Sequence, residues 1–280
     1  MKLSVVTATY RERFGEEVAL RMISEAGFDA VDFSLCDTSD RTYMLGDDYI
    51  ERAEITKERL QMFGLACNQA HAPFKLLYNE AFDTSVKNYR DVVRSIEYAS
   101  ILGAKGIVVH AIKVPDDADF VEYNLAYYKS LEPYAKKYGI KIAVENLLNS
   151  IFWTPYKLCH FIKMLNSDVF CACVDVGHSA IIGMPPEDFI AGMDKSVMKY
   201  VHLHDTDFKL DRHWIPYEGL HNWDNITKAL AEYNFDGDIE LEVIHCFDHV
   251  DDELMFPMLV YIEKVGRLLI KKFNEHRNNL

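Results

Sequence analysis

The sequence KIAVENLLNSIFWTPYKLCHFIKMLNSDVFCACVD, residues 141–175, contains two short apolar runs separated by an amphipathic segment. The first run ends at Glu145 and the second at Asp175. A short β-branched or apolar run that stops at a charged residue is typical of a buried parallel strand. The interval of about 30 residues is the length of one βα unit. We therefore expect both carboxylates to point into a site at the carboxyl edge of a parallel sheet.

The same alternation extends over the whole chain. The apolar runs are Leu3–Thr7, Ala30–Phe33, Leu65–Gln69, Gly106–His110, Lys141–Glu145, Cys171–Asp175, Lys199–His204 and Ile239–Val243. Segments with helical periodicity lie between or after them, such as Glu16–Glu25, Val86–Leu102, Phe120–Tyr138, Pro155–Leu165, Trp223–Tyr233 and Glu253–Phe273. Eight strands alternating with helices predict a parallel sheet of the α/β class, closed as a (β/α)₈ TIM barrel.

No linker or low-complexity tract divides the sequence, so we predict a single barrel domain over residues 1–280. A doubly wound open sheet is the alternative. It is disfavoured because no G-x-G-x-x-G motif follows the first apolar run.

Composition excludes several classes of function. The formal net charge of −14 disfavours general binding to nucleic acid, which depends on Lys and Arg releasing counterions from phosphates. No run of 18 apolar residues is present, so no membrane association is expected. The six cysteines form no C-x-x-C pair, and a reduced, cytoplasmic protein is the natural interpretation.

Four residues near strand ends form the candidate metal site: Glu145, Asp175, His202 and Glu242. In a barrel the carboxyl ends of all strands converge on one mouth. A single strand-end carboxylate is often only a helix N-cap, and a single histidine is often a hydrogen-bonded core residue. Three carboxylates in one mouth, however, repel each other unless a cation lies among them. The oxygen-rich set suits one divalent metal, Mn²⁺, Co²⁺, Mg²⁺ or Zn²⁺.

Further polar residues occur at the same predicted rim. They are His71, His110, His178, His204, Asp211 and His213. His202 and His204 face the same side of one strand, and we prefer His202 as the ligand because His204 begins the following loop. Glu240 lies one layer deeper than Glu242, and we predict an ion pair between Glu240 and Lys141.

Several motifs occur in a fixed order: SEAGFDAVDFS at 24–34, IAVENLLNS at 142–150, CVDVGHS at 173–179, YVHLHDTD at 200–207, D-x-H-x-x-P at 211–216 and FDGDIELEV at 235–243. The set resembles the xylose-isomerase-like TIM barrels along essentially the whole chain. That superfamily includes sugar isomerases and epimerases, inosose dehydratase and nucleases of the endonuclease IV type. Each motif alone is weak, and the ordered set is specific for the superfamily but not for the reaction.

The sugar branch of this resemblance implies a divalent-metal-dependent isomerase or epimerase. Glu145, Asp175, His202 and Glu242 match its metal ligands by motif position, and Glu145 and Glu242 match its acid–base pair. One glutamate would remove the proton α to a carbonyl and the other would return it, through an enediolate. We expect an unphosphorylated ketose or polyol, because the loops after the last two strands are acidic and lack a glycine cluster. Residues interpreted as substrate-binding or as ligands of a second metal are His71, His110, His178, Asp211, His213, Arg212 and Asn146.

Two other branches stay open. One is a lyase or dehydratase of the inosose dehydratase type. The other is a zinc phosphodiesterase of the endonuclease IV type, whose nine cluster ligands all have a counterpart here, implying a second or third metal. The acidic charge and the loop aromatic residues Trp153, Tyr156, Trp214 and Tyr217, which suit stacking on a sugar, favour the sugar branch. A homo-oligomer is compatible with the sequence, which identifies no interface.

Overall fold

The computed structural model describes residues 1–36, 44–74, 84–115, 118–148 and 150–280. Eight parallel strands occur in this part of the chain. They are β1 Leu3–Val6, β2 Ala30–Ser34, β3 Ala66–His71, β4 Gly106–Val109, β5 Lys141–Glu145, β6 Phe170–Asp175, β7 Met198–His202 and β8 Ile239–Leu241. Their order in the sheet is β7-β6-β5-β4-β3-β2-β1-β8, so each strand lies beside its sequence neighbours.

The sheet closes between β7 and β8 just beyond the end of β7. Leu203 pairs with Leu241, its amide donates to the Glu240 carbonyl, and its carbonyl accepts from the Glu242 amide. The predicted (β/α)₈ TIM barrel is therefore confirmed, and all eight predicted strands are present with small differences at their ends.

The helices are α1 Ala8–Phe14, α2 Glu16–Ala26, α3 Tyr49–Met62, α4 Lys87–Leu102, α5 Phe120–Tyr138, α6 Pro155–Leu165, α7 Val176–Ile181, α8 Pro186–Ala191, α9 Trp223–Tyr233 and α10 Asp252–Asn278. The six predicted helical segments correspond to α2, α4, α5, α6, α9 and α10. The helix α3 escaped prediction because its apolar stripe is weak, with Ala53, Thr56 and Leu60 as its buried residues. The helices α7 and α8 are too short to show a helical period. None of the described helices combines the length and apolar character needed to cross a lipid bilayer.

The interior of the barrel is filled mainly by small side chains. Val108, Ala143, Cys171 and Cys173 form a buried cluster, against which Tyr200 packs. The two cysteines are free thiols with the buried, hydrophobic role expected from their alternation on β6. This cluster lies beneath the carboxyl ends of the strands, between the candidate site and the opposite end of the barrel.

The predicted ion pair between Glu240 and Lys141 is wrong. Lys141 begins β5, at the opposite end of the strand from Glu145, and its ammonium donates to the Asp168 carbonyl at 2.6 Å. Glu240 is fully buried, and neither carboxylate oxygen has a hydrogen-bond partner among the described residues. Burial, together with the nearby charges of Asp32, Asp175 and Glu145, raises the pKa of Glu240 well above its ordinary value. Burial thus favours the neutral form of this side chain, which has no lysine partner among the described residues.

Gly106 on β4 allows the close approach of Tyr200. A Cβ at this position would lie 2.2 Å from the Tyr200 hydroxyl oxygen and 2.3 Å from its Cζ. We therefore expect Gly106→Ala to lower the free energy of unfolding in urea by about 1–3 kcal/mol through overpacking. The same substitution in a Tyr200→Leu background should cost clearly less. An equal cost in both backgrounds would contradict this interpretation.

Candidate active site

The candidate site lies at the carboxyl ends of six strands. His71 is the last residue of β3, His110 follows β4, Glu145 ends β5, Asp175 ends β6, His202 ends β7 and Glu242 follows β8. In a parallel barrel these positions share one rim. The helix α7, which starts directly after β6, contributes His178, and the loop after β7 contributes Asp211 and His213.

His202 lies at the centre of this group and is fully buried. Its Nδ1 is 3.5 Å from the Glu145 Oε1 and 3.4 Å from the Glu242 Oε2. Asp175, His202 and Glu242 each offer a donor atom, and these three atoms lie within 4.8 Å of one another. The structure thus brings the four residues of the predicted metal site together around one imidazole.

A second group is formed by His71, His110 and Glu145, whose donor atoms also lie within 4.8 Å of one another. The two Nε2 atoms of His71 and His110 are 3.2 Å apart. The Glu145 Oε2 is 2.9 Å from the His110 Nε2 and 3.8 Å from the His71 Nε2. The ring of Phe74 stacks on His110 with a centroid distance of 5.0 Å, which covers this group on one side.

A third group centres on Asp211. Its Oδ2 is 3.2 Å from the His178 Nε2 and 3.2 Å from the His213 Nε2. The Nδ1 of His178 is 3.2 Å from the Glu145 Oε1, so this group adjoins the first two. His213 is held by a 2.9 Å contact between its Nδ1 and the Glu242 carbonyl oxygen.

The two glutamates of the predicted acid–base pair have different electrostatic environments. Burial alone would raise the pKa of Glu145, but the imidazoles of His110, His178 and His202 hold it well below its ordinary value. Burial and the charges of Glu145 and Asp175 instead raise the pKa of Glu242 well above its ordinary value. Two adjacent carboxyl groups with opposite shifts are suited to opposite roles in proton transfer.

The loop carrying Asp211 and His213 is anchored by Asp205, a buried carboxylate that the sequence analysis did not single out. One of its oxygens accepts from the amides of Thr206 and His221, at 2.9 and 3.1 Å. The other oxygen accepts from the Tyr217 amide at 2.9 Å and from the Trp223 indole at 2.8 Å. These bonds fold the loop back over the end of β7 and so place its two site residues.

His204 has a supporting position instead of a central one. Its Nε2 is 3.1 Å from both carboxylate oxygens of Asp175, and its ring stacks on His213 with a centroid distance of 4.0 Å. A Cβ at Gly177 would lie 2.1 Å from the His204 Cε1, so the glycine of the DVGH motif allows this packing. Donor atoms of His204, His213 and Glu242 also lie within 4.8 Å of one another, so the preference for His202 over His204 as the ligand stays a prediction.

Asp32 is a further residue that the sequence analysis missed. It lies on β2, is fully buried, and contacts His71 and His202 from within the barrel. Burial alone would raise the pKa of Asp32, but His71, His202 and Gln69 together lower it. The available signal was a single carboxylate in an otherwise apolar strand, AVDFS.

Two predicted substrate contacts are not favoured by the geometry. The Asn146 amide group donates to the Asp175 carbonyl at 2.9 Å and accepts from the Asp175 amide at 2.7 Å, so it joins the ends of β5 and β6. The Arg212 guanidinium donates to Asp207 at 3.0 and 3.1 Å and lies over the Trp214 ring. Neither side chain belongs to the described lining of the cavity above the site.

This cavity has a volume of about 1020 Å³ and opens directly onto the three groups. Its polar wall includes His71, His110, Glu145, His178, Asp211, His213 and Glu242, together with Arg11, Glu12, Lys113 and His245. Its apolar wall consists mainly of Phe74, Ile112, Val114, Phe120, Leu147, Leu148, Ile151, Trp153 and Ile244.

Of the four loop aromatic residues predicted to stack on a sugar, Trp153 lines the described cavity. Tyr156 stacks on His160, Tyr217 packs on Trp223, and Trp214 lies beneath Arg212.

Several buried donor atoms in the site fit a divalent cation. Within the described residues, no hydrogen bond is made by either ring nitrogen of His202, the Nδ1 of His178, the Oε2 of Glu145 or the Oδ1 of Asp211. Buried polar atoms without a partner are costly, and imidazole nitrogens and carboxylate oxygens are the ligands that divalent metals take. The buried His, Asp and Glu clusters therefore form candidate metal sites.

Comparison with known proteins identifies the family. The model of the family described as "Xylose isomerase-like TIM barrel" matches residues 20–254, which is most of the chain. The chain belongs to this family. An uncharacterized protein of Methanocaldococcus jannaschii is 27% identical over 214 residues, covering 72% of each chain. A 2-oxo-tetronate isomerase of Haemophilus influenzae is 27% identical over 165 residues, covering 55% of this chain and 61% of that protein.

Solved structures of the family share the whole fold. A D-tagatose 3-epimerase-like protein has a TM-score of 0.78 at 22% identity, with 98% of this chain and 99% of that chain covered. The IolI protein, solved with a bound zinc atom, has a TM-score of 0.75 at 17% identity, with 99% of both chains covered. At these identities the likeness establishes the barrel architecture.

The role of Asp205 in anchoring the loop leads to a stability prediction. Asp205→Asn replaces one acceptor oxygen by an NH₂ group that faces two N–H donors. We expect the free energy of unfolding in urea to fall by about 1–3 kcal/mol. The matched control is Glu232→Gln, an exposed carboxylate 3.7 Å from Lys228, for which a change of about 0.5 kcal/mol or less is expected. Equal changes in both variants would contradict the anchoring role.

Proposed function

We propose that this protein is a divalent-metal-dependent sugar isomerase or epimerase that acts on an unphosphorylated ketose or polyol-type substrate. Glu145, Asp175, His202 and Glu242 would hold the metal, and Glu145 and Glu242 would also transfer the proton. The observation that carries the proposal is the position of these two glutamates, which approach the same nitrogen of His202 at 3.5 and 3.4 Å and both line the cavity.

This geometry suits proton removal and return at one carbon. A bound divalent cation would supply Lewis-acid polarisation of a carbonyl and its neighbouring hydroxyl. Of Glu145 and Glu242, one would act as the base on the proton α to the carbonyl and the other would return the proton. Return of the proton to the opposite face gives an epimer, and return to the adjacent carbon gives an aldose–ketose isomer.

The surroundings of the site support a neutral sugar. Glu12, Asp211 and the two glutamates line the cavity, and their charges would repel a dianionic phosphate. Two basic residues, Arg11 and Lys113, also line the cavity. The Arg11 guanidinium is buried, donates to the Ser34 carbonyl and lies over the Phe33 ring. Two of the similar proteins are named for sugar chemistry, one as a 2-oxo-tetronate isomerase and the other as a D-tagatose 3-epimerase-like protein. The IolI structure, which shares this fold, contains a bound zinc atom, and this supports a metal in the present protein.

The acid–base assignment is tested by Glu145→Gln and Glu242→Gln. We expect each variant to lose turnover by a factor of about 10²–10⁴ or more, because the amide cannot take up or deliver the proton. Turnover is measured by NMR as exchange of the ketose α proton with deuterated solvent, over a panel of free ketoses, with metal content determined for each variant.

Glu232→Gln serves as the control and should retain full activity, because its side chain is exposed and remote from the cavity. Near wild-type exchange in either site variant would show that the assignment is wrong. A product that has lost water would instead identify the lyase or dehydratase alternative.

A phosphodiesterase with several metals is the second candidate. It is favoured by the His71–His110–Glu145 group and by the contacts of Asp211 with His178 and His213, which supply two further sets of metal-binding donors. The acidic charge and the apolar cavity wall oppose it, since a nucleic-acid backbone requires a basic surface.

The metal content per chain separates the two candidates. The protein is purified without chelator or nickel, and the metals are quantified by elemental analysis. We expect about one Mn, Co, Mg or Zn per chain, bound by the four-residue set around His202. His71→Ala and His110→Ala should then keep that metal while slowing turnover or raising KM. Two or three zinc ions per chain, reduced in these variants, would favour the phosphodiesterase.

A further inference from the structure

Asp32 lies between two histidines of the site on the side facing away from the cavity. Its Oδ2 is 3.7 Å from the His71 Nδ1 and 3.7 Å from the His202 Nε2. The same oxygen accepts a 2.7 Å hydrogen bond from the Gln69 side-chain amide. All four side chains belong to strands β2, β3 and β7, so the arrangement is built into the barrel wall.

The two histidines face Asp32 with different nitrogens. His71 turns its Nδ1 to Asp32 and its Nε2 to His110 and Glu145. His202 does the reverse, turning its Nε2 to Asp32 and its Nδ1 to Glu145 and Glu242. The two rings lie side by side, with centroids 4.9 Å apart. A neutral imidazole carries one proton, so a proton on the nitrogen facing Asp32 leaves the lone pair of the other nitrogen directed at the glutamates.

We propose that Asp32 is a positioning residue whose negative charge, 3.7 Å from a ring nitrogen of each histidine, favours the tautomers of His71 and His202 in which that nitrogen carries the proton. In each ring the other nitrogen, Nε2 of His71 and Nδ1 of His202, would then be unprotonated and able to bind a metal. Gln69 holds Asp32 in the orientation that reaches both rings. The inference rests on the proposed metal centre, but it concerns ligand preparation and not the chemistry that follows.

A direct role of Asp32 as a metal ligand is the competing interpretation. Donor atoms of Asp32, His71 and His202 do lie within 4.8 Å of one another. Charge favours the positioning role, because Glu145, Asp175 and Glu242 lie on the other side of the His202 ring and attract a cation there.

The test measures metal binding directly. Chelator-treated wild type and Asp32→Asn are titrated with Mn²⁺ and with Co²⁺ by calorimetry, and the visible spectrum of the Co²⁺ form is recorded. Asparagine keeps the size of the side chain and an oxygen for Gln69, but it removes the carboxylate that orders the two rings. We expect an affinity about 10–100-fold lower with an unchanged number of bound ions, together with an altered Co²⁺ spectrum.

The matched control is Glu240→Gln, which changes another buried carboxyl of the barrel interior that forms no hydrogen bond within the described residues. Its metal affinity should equal that of the wild type. Thermal unfolding of the metal-free proteins shows whether Asp32→Asn has merely damaged the fold. If that variant does not fold, Gln69→Leu, which frees the Asp32 carboxylate, should lower the affinity in the same direction by a smaller factor.

Two results would overturn the inference. Loss of one whole metal equivalent in Asp32→Asn would make Asp32 a ligand, and unchanged affinity and spectrum would remove any role toward the metal. Failure of the proposed sugar chemistry is a separate outcome, because it would show as absent turnover in a wild-type protein that still binds metal and still responds to Asp32→Asn.

Discussion

The site depends on compensation of buried negative charge by imidazoles. Glu145 occupies the position where this is most evident, since the imidazoles of His110, His178 and His202 approach its two oxygens at 2.9–3.5 Å. Burial of a carboxylate without such partners raises its pKa, and the pKa of the buried Glu240 is raised well above its ordinary value. The histidines at the rim therefore have two functions, because they keep the carboxylates ionised and also offer nitrogen donors of their own.

The barrel holds this concentration of buried polar groups in place. Small side chains fill the space beneath the site, and closure through Leu203 holds the ends of β7 and β8 together. Hydrogen bonds between buried side chains and the backbone then fix the positions of the polar residues. Asn146 joins the ends of β5 and β6, and Asp205 folds the long loop back over the rim. Both side chains form hydrogen bonds with backbone groups, and these bonds connect the site residues to the strand ends.

The sequence predicts the strands and the rim residues well, because both depend on local patterns. An apolar run that ends in a charged residue is visible without a structure, and the convergence of strand ends follows from the barrel. Asp32 and Asp205 were not recognised, because their roles depend on partners more than 10 residues away in sequence or on the path of a loop. Asn146 and Arg212 were assigned to substrate because they adjoin site residues, but their side chains turn to Asp175 and Asp207.

The two oxygens of Glu145 have different neighbours. Oε2 contacts His71 and His110, whereas Oε1 contacts His178 and His202. The planar carboxylate cannot rotate toward one pair without changing its distance to the other. Any ligand that draws Glu145 toward one side of the mouth will therefore alter affinity on the opposite side, and thermodynamic linkage requires the effect to be reciprocal. Glu145 is thus shared by the two halves of the rim.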